Sequence, residues 1–396
     1  MSSSEIPYRS YLPSRGVANH DTAFLPLDPG LREIRCVILL PGSGNDPIAC
    51  KLVYTNMKET ETRIPYIVLS YCWGNVEDTV EIVLHGSSKD SPSAYQEPIS
   101  APFRITRNLY VALMALRNDR KQYLWVDALC INQQDPQEKT HQVQLMGKIY
   151  SLAESVLVWL GPDDKYSRFL MRLWTAHLRP LINTLDDGAM KNLYDDLFKS
   201  AHPLWNDVAQ DEILIRFELG LNDEKVDQAS PDRYKRALWV SFNSVLNRPW
   251  WSRIWIVQEV FLAPRSEGGG RKVQFRLGDS PLDWQDTLHT KTILPGYGPL
   301  SVSKVCRSWY ALIDMDGKFS DPDIDTLIEH TSHFCASDPR DKLFALLQLA
   351  SDTRACMHDP LIMPDYTKSL EVVIDDLVRW KPSLSKDVLQ SWVEGT

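Results

Sequence analysis

No stretch of this chain approaches the about 18 uninterrupted apolar residues that cross a bilayer, so no membrane partner is expected. Clustered lysine and arginine are also missing. Forty-three basic residues stand against 52 acidic ones, for a formal net charge of −9 and a pI near 5.5. A phosphate backbone asks for a basic stripe, which excludes nucleic acid as a partner. No Cys-x-x-Cys pair occurs among the seven cysteines, Cys36, Cys50, Cys72, Cys130, Cys306, Cys335 and Cys356. Their odd number and scatter, with Cys72 and Cys130 inside apolar runs, predict free thiols in a reducing, cytoplasmic compartment. The opening segment MSSSEIPYRSYLPSRG has no apolar core, so no secretory signal is expected. Gly-x-Gly-x-x-Gly, a phosphate loop and a Gly-x-Ser-x-Gly elbow are absent. Dinucleotide oxidoreductase, P-loop and α/β-hydrolase chemistries therefore lose support. There is no internal repeat.

What is present is a 396-residue chain, 43% hydrophobic with 13 tryptophans, long enough to bury a large core. The most informative stretch is 123–161. Its apolar run LWVDALCI (124–131) is too short for an ordinary helix and predicts a strand buried on both faces. A polar loop follows. Val143, Met146, Ile149, Tyr150 and Ala153 then recur at helical spacing, and a second apolar run (156–160) ends at Gly161. Strand, helix, strand predicts a parallel pair with a crossover, the unit of an open α/β sheet. Ligands bind beyond the carboxyl ends of such strands. Asp127 and the loop Asn132, Gln133, Gln134, Asp135 lie at or after one.

Residues 34–40 and 48–54 flank turn residues and predict a hairpin-like pair or an edge addition. Residues 65–74 predict a second buried strand ending in a turn. Residues 86–103 read as loop, and 109–116 as a helix with Thr106 at its N-cap. The acidic stretch 163–235 predicts a helical insertion. Residues 237–263 predict a helix broken at Pro249, and 272–277 a strand. The organisation expected is a lead-in with short strands over 1–60, a central domain over 61–280 with its insertion at about 163–235, and a helical extension over 281–396 packed on it.

The candidate chemistry concentrates in WWSRIWIVQEV (250–260). On a helical projection Trp251, Ile254, Trp255, Gln258, Glu259 and Leu262 share one face. A carboxylate among apolar neighbours is costly unless paired or protonated, and burial raises its pKa toward general acid–base work or the binding of a sugar hydroxyl. The blander expectation has Glu259 cap a loop backbone or pair with Arg248 or Arg253. Ser70, Tyr71, Cys72, Trp73 and Gly74 form a strand-to-turn junction, where backbone N–H groups often face a ligand. Asp127 needs a partner, in a site or in a neighbouring loop. Asn132, Gln133, Asp135 and Glu138 fit loop and capping roles better than ligation. Glu329, His330, His333 and Cys335 are metal-ligand types without the paired spacing of a zinc site, so no metal is expected.

These blocks closely resemble the fungal heterokaryon incompatibility (HET) domain. The resemblance rests on YIVLSYCWG (66–74), on LWVDALCINQ (124–133) with Asp135, Glu138, Gln142, Met146 and Trp159, and on RPWWSRIWIVQE (248–259). DPRDK (338–342) resembles the family's downstream segment. Shared ancestry with TIR domains implies a flavodoxin/TIR-like central parallel sheet flanked by helices. The TIR pattern of a tryptophan shortly before a glutamate is similar to Trp255 and Glu259. By that likeness Glu259 is the catalytic candidate, with NAD as substrate and no other cofactor required. Ser70, Tyr71, Trp73, Gly74, Asp127, Asn132, Gln133, Arg253 and Gln258 would line the ligand side, and Trp251 or Trp255 would stack on a ring. The role implied is nonself recognition and regulated cell death, with self-association or a partner protein in view. HET domains commonly sit beside a regulatory region, and the compactness of this chain leaves two other expectations. One is a biosynthetic enzyme holding a terpenoid or polyketide in a Trp-lined cavity and closing a ring, as a Diels–Alderase does. The other is a non-catalytic interaction scaffold.

Overall fold

The computed structural model describes residues 24–58, 63–86, 100–117, 122–198, 203–204, 231–293 and 304–395. Among them nine strands make one mixed sheet. They are β1 (Glu33–Leu39), β2 (Ala49–Asn56), β3 (Ile67–Tyr71), β4 (Thr79–His85), β5 (Ser100–Thr106), β6 (Tyr123–Trp125), β7 (Ser155–Trp159), β8 (Val273–Leu277) and β9 (Ser280–Asp283). Their spatial order is β5-β4-β2-β1-β6-β3-β7-β8-β9. The strands β6, β3, β7 and β8 run parallel to one another, and β1 and β9 flank that group antiparallel. Counted along the chain, the parallel strands stand second, first, third, fourth. The connection reverses direction at β3 and β7, and in open α/β sheets the crevice beyond such a reversal is where ligands collect.

Both central strands owe their position to composition. Val68 to Tyr71 and Val156 to Trp159 are buried throughout, as strands covered by helices on two faces must be. The strand expected over 124–131 is shorter than its apolar run. Only Tyr123–Trp125 is extended, and Asp127–Cys130 closes one helical turn. Polar contacts bend the chain there: the Asp127 carboxylate accepts from Ala128 N at 2.7 Å, and Cys130 N bonds back to Val126 O at 2.8 Å. β6 and β7 run parallel within the mixed sheet, with β3 between them rather than side by side.

The pair β1 and β2 forms antiparallel as the turn residues predict, with Leu39 opposite Cys50. It is no edge addition, because β1 also pairs with β6. Residues 100–103 of the expected loop belong to β5, while 87–99 lie outside the described residues. Thr106 sits at the N-cap of the Arg107–Leu116 helix but makes no side-chain capping bond. In the insertion, helices Lys165–Leu173, Arg179–Ile182 and Asp187–Phe198 are described and 205–230 are not. The break at Pro249 is real: Pro231–Leu246 and Trp255–Phe261 are helices, with a 3-10 turn at Pro249–Ser252 between them.

β9 spans the expected division at 280, so chain on both sides of it enters the sheet. The residues that follow are stitched into the domain at several points, among them the shielded Arg271–Asp316 pair at 2.6 Å. Cys335 N donates to Ser252 O at 2.6 Å and Cys335 O accepts from Ile254 N at 2.9 Å. Gln348 presses its side-chain amide into the Pro136–Ser151 helix. Its Oε1 accepts from Gly147 N at 2.6 Å, and its Nε2 donates to Val143 O and Gln144 O at 2.9 and 3.0 Å. Gly147 permits this approach, since a Cβ there would lie 2.3 Å from Gln348 Oε1. Finally, Gln144 Nε2 donates to Pro364 O at 2.9 Å.

Arg35, wholly buried in β1, holds the same Pro136–Ser151 helix near its start. It grips Glu138 with both terminal nitrogens at 2.6 and 2.9 Å, and donates to Cys130 O and Leu25 O at 3.1 and 2.6 Å. Glu138 also accepts from Asn132 N at 2.6 Å, so this pair pins the whole loop after β6.

Candidate functional site

The three sequence blocks meet beyond the carboxyl ends of β3 and β6. Ser70, buried near the end of β3, donates its hydroxyl to Glu259 Oε2. The indole of Trp250 donates to Ser70 Oγ at 2.7 Å. Arg253 Nη2 stands 3.4 Å from Glu259 Oε1. Glu259 is 2% exposed, so the paired expectation for it holds, with Arg253 and not Arg248, which instead binds Asp164 at 2.9 Å. Both carboxylate oxygens are therefore engaged.

Beside this group lies a second carboxylate. Asp127, at the start of the turn after β6, accepts from the Trp73 indole at 2.7 Å. Gly74 follows with φ of +76°, the left-handed turn that its position predicts, and Asn108 Nδ2 ties the Cys72 carbonyl at 2.5 Å. Tyr71 and Tyr150 complete the wall. Burial, then the negative charge of Asp127, pushes the Tyr71 phenol well above its usual range. Burial, then the charge of Glu259 and Asp127, does the same to Tyr150. For Arg253, burial pulls the guanidinium down, but Glu259 first and Cys72, Asp127 and Tyr150 after it raise it overall.

Several polar atoms here have no partner. The Tyr71 hydroxyl lies near Asp127 without a hydrogen bond of normal geometry. Arg253 Nη1 and both amide atoms of Gln258 are buried and unpaired. The indole N–H of Trp159 is unpaired too, and Trp159 is the direct partner of Tyr71 on the last rung of the β3–β7 ladder. Each such atom costs about 1–3 kcal/mol when shut away from water. Unpaired polar atoms in a native structure call for an explanation.

Other expected site residues go elsewhere. The helix begins only at Trp255, so Trp251 does not share a helical face with Glu259. Trp251 is core: its ring stacks on Phe275 at 5.3 Å, and its N–H is spent on Val245 O at 3.1 Å. It has no ring face to offer a ligand. Trp255 is half-buried and directs its indole toward Asp341 in the C-terminal region, whose carboxyl burial pushes up. Asn132 turns its side chain onto Gln134 N at 3.1 Å, and Gln133 anchors the Asp127 carbonyl at 3.0 Å, both loop duties. Asp135 caps the Pro136–Ser151 helix.

Two members of the centre were not singled out from sequence. Tyr150 reads as one more apolar position of an amphipathic helix, and its hydroxyl carries no positional signal. Trp250 was hidden by its neighbour Trp251, although a 3-10 turn after a proline is what sends successive residues in different directions.

Among the described residues the one grouping of potential metal ligands is Asp323, Asp325 and Asp352. The Lys381 ammonium already lies among them, bonded to Asp325 and, at 2.8 Å, to Asp352. His330 is occupied otherwise, bonding Thr326 O at 2.9 Å and meeting Phe319 edge-on. No helix among the described residues is long and apolar enough to cross a membrane.

Residues 66–259 match the family model described as heterokaryon incompatibility protein (HET). A curated relative, heterokaryon incompatibility protein 6, OR allele, of Neurospora crassa, is 28% identical over 339 residues, covering 77% of this chain and 45% of the relative. The chain thus spans less than half of that protein's length. No solved structure matches.

Proposed function

From the premise that the chain belongs to the heterokaryon incompatibility (HET) family, we propose that it acts in fungal nonself recognition, triggering cell death through the centre around Glu259. The observation that carries this reading is convergence. The three blocks, far apart in sequence, put Ser70, Trp250, Arg253 and Glu259 into one hydrogen-bonded group at the carboxyl edge of the parallel strands, with Asp127, held by Trp73, close enough for its charge to act on Arg253. The second-first-third-fourth strand order is that of flavodoxin-like sheets, which supports the TIR-like kinship. The test is induced expression in a fungal host lacking the gene. Wild type is expected to arrest growth, and Glu259→Ala, produced at equal level, to be harmless. Equal killing by both overturns the role of the centre.

The enzymatic form of this reading is cleavage of NAD by Glu259. A buried carboxylate beside an arginine and the Tyr150 phenol supports it, and the substrate would have to displace the 3.4 Å Arg253 contact to reach Oε1. Nicotinamide release by wild type and not by Glu259→Gln is the expected result. Release by neither leaves the centre a structural switch. The biosynthetic alternative gains nothing from the tryptophans, because Trp250 and Trp251 are committed to a hydrogen bond and to ring stacking.

A further inference from the structure

Apart from the Gln258 amide, whose nitrogen and oxygen are both unpaired, the polar atoms left without partners at the carboxyl edge can all donate. Arg253 Nη1 and Trp159 Nε1 are pure donors, and the Tyr71 hydroxyl is a donor beside them. Tyr71 and Trp159 are neighbours on the last rung between β3 and β7, where the sheet reverses its connections. Tyr71 feels both Asp127 and Arg253, so its hydroxyl lies within their shared field. Around Arg253, Tyr71 and Trp159 what the unpaired atoms lack is an acceptor. The local charge is nevertheless already negative, because Glu259 and Asp127 outnumber the single guanidinium. An anion arriving here would be repelled by two carboxylates, whereas an uncharged oxygen would meet the three donors without that charge repulsion.

We infer that Arg253 and Tyr71 form a receiving site for an uncharged hydrogen-bond acceptor, a carbonyl or hydroxyl oxygen of a small ligand, placed at the β3–β7 edge. The inference rests on the reading that the Glu259 centre is the working part of the protein. Arg253 suits the task because its side chain is 21% exposed and holds Glu259 by one long contact, so it can turn to a ligand without abandoning a strong pair. Trp73 and Cys72, both half-buried, stand at the same rim.

The test uses two probes of one shape and different charge, acetamide and acetate, soaked into crystals of the full chain and titrated against its thermal midpoint. Acetamide is expected at Arg253 and Tyr71, with acetate absent at the same concentration. Arg253→Met should weaken acetamide binding by about tenfold or more, the loss expected for a hydrogen bond to a charged group. Tyr71→Phe should weaken it by a few-fold, and it carries the test should Arg253→Met fail to fold. Acetate binding as well as acetamide, binding untouched by either substitution, or no density for either probe in wild type would each overturn the inference. The growth-arrest comparison with Glu259→Ala is independent of these outcomes, so failure here leaves that reading standing.

Discussion

Arg35, in β1, and Arg253, after the 3-10 turn, are both shielded guanidiniums facing a helix-borne carboxylate, and they are finished to different degrees. Arg35 makes four hydrogen bonds of 2.6 to 3.1 Å, and its unpaired Nε lies on a guanidinium stacked at 4.9 Å over Phe24 and 5.6 Å over Tyr54. Arg253 makes one contact of 3.4 Å to its carboxylate and leaves Nη1 bare. A saturated buried pair specifies one arrangement of the chain around it, while an unsaturated one leaves free energy to be released by whatever supplies the missing partner. The first organises the loop after β6. The second waits at the place where such sheets bind.

The sharpest way to break this contrast is at the finished pair. Arg35→Met strands Glu138, 10% exposed, with Asn132 N as its remaining partner, and should cost about 3–5 kcal/mol in urea unfolding. A cost under about 1 kcal/mol would mean that Arg35 is no more committed than Arg253. Next in size come two tyrosines. Tyr66 donates to Ile149 O at 2.7 Å, so Tyr66→Phe should cost about 1 kcal/mol, whereas Tyr71→Phe removes an unpaired hydroxyl and should cost nothing or stabilise. The alkaline limb checks the same point. The folded Tyr71 phenol is raised above its unfolded value of 10.0, so its contribution is fully present below pH 10 and is lost as pH rises beyond it. Tyr71→Phe should therefore flatten the fall in stability above pH 10, and an unchanged limb would place that hydroxyl in contact with water. The smallest effect is the coupling of Arg253 with Glu259. A double-mutant cycle with Arg253→Met and Glu259→Gln should give about 1 kcal/mol or less, because the contact is long. A coupling of several kcal/mol would make Arg253 structural.

Periodicity announced most of the helices and both central strands, since burial on one stripe or on two faces leaves a direct mark on residue order. It overestimated the strand at 124–131 because an apolar run records burial and not extension. Asp127 and the thiol of Cys130, which accepts from Val126 N at 3.2 Å, draw that run into a turn. The site was legible as far as charge could carry it. Glu259, Arg253 and Asp127 are costly residues among apolar neighbours, and each lies in the centre. Trp250 and Tyr150 escaped because a tryptophan in an apolar motif and a tyrosine on a helix stripe look like filling. Trp251 was misplaced for a geometric reason: the projection assumed one helix where proline imposes a 3-10 turn first. The antiparallel strands β4 and β5, with alternate residues open to solvent, left too weak a pattern against their Ser- and Pro-rich surroundings.

The Gln348 amide meets the Pro136–Ser151 helix at the single position that lacks a β-carbon, and it holds both an N–H and two carbonyls of adjacent turns. Such a fit works like a key in a one-notch lock. Rotating that helix by one residue would drive a side chain into the amide, and sliding it would strand all three bonds. Tyr150 lies three residues beyond the notch, so the angle at which its phenol meets Glu259 is dictated from a residue almost two hundred positions away along the chain.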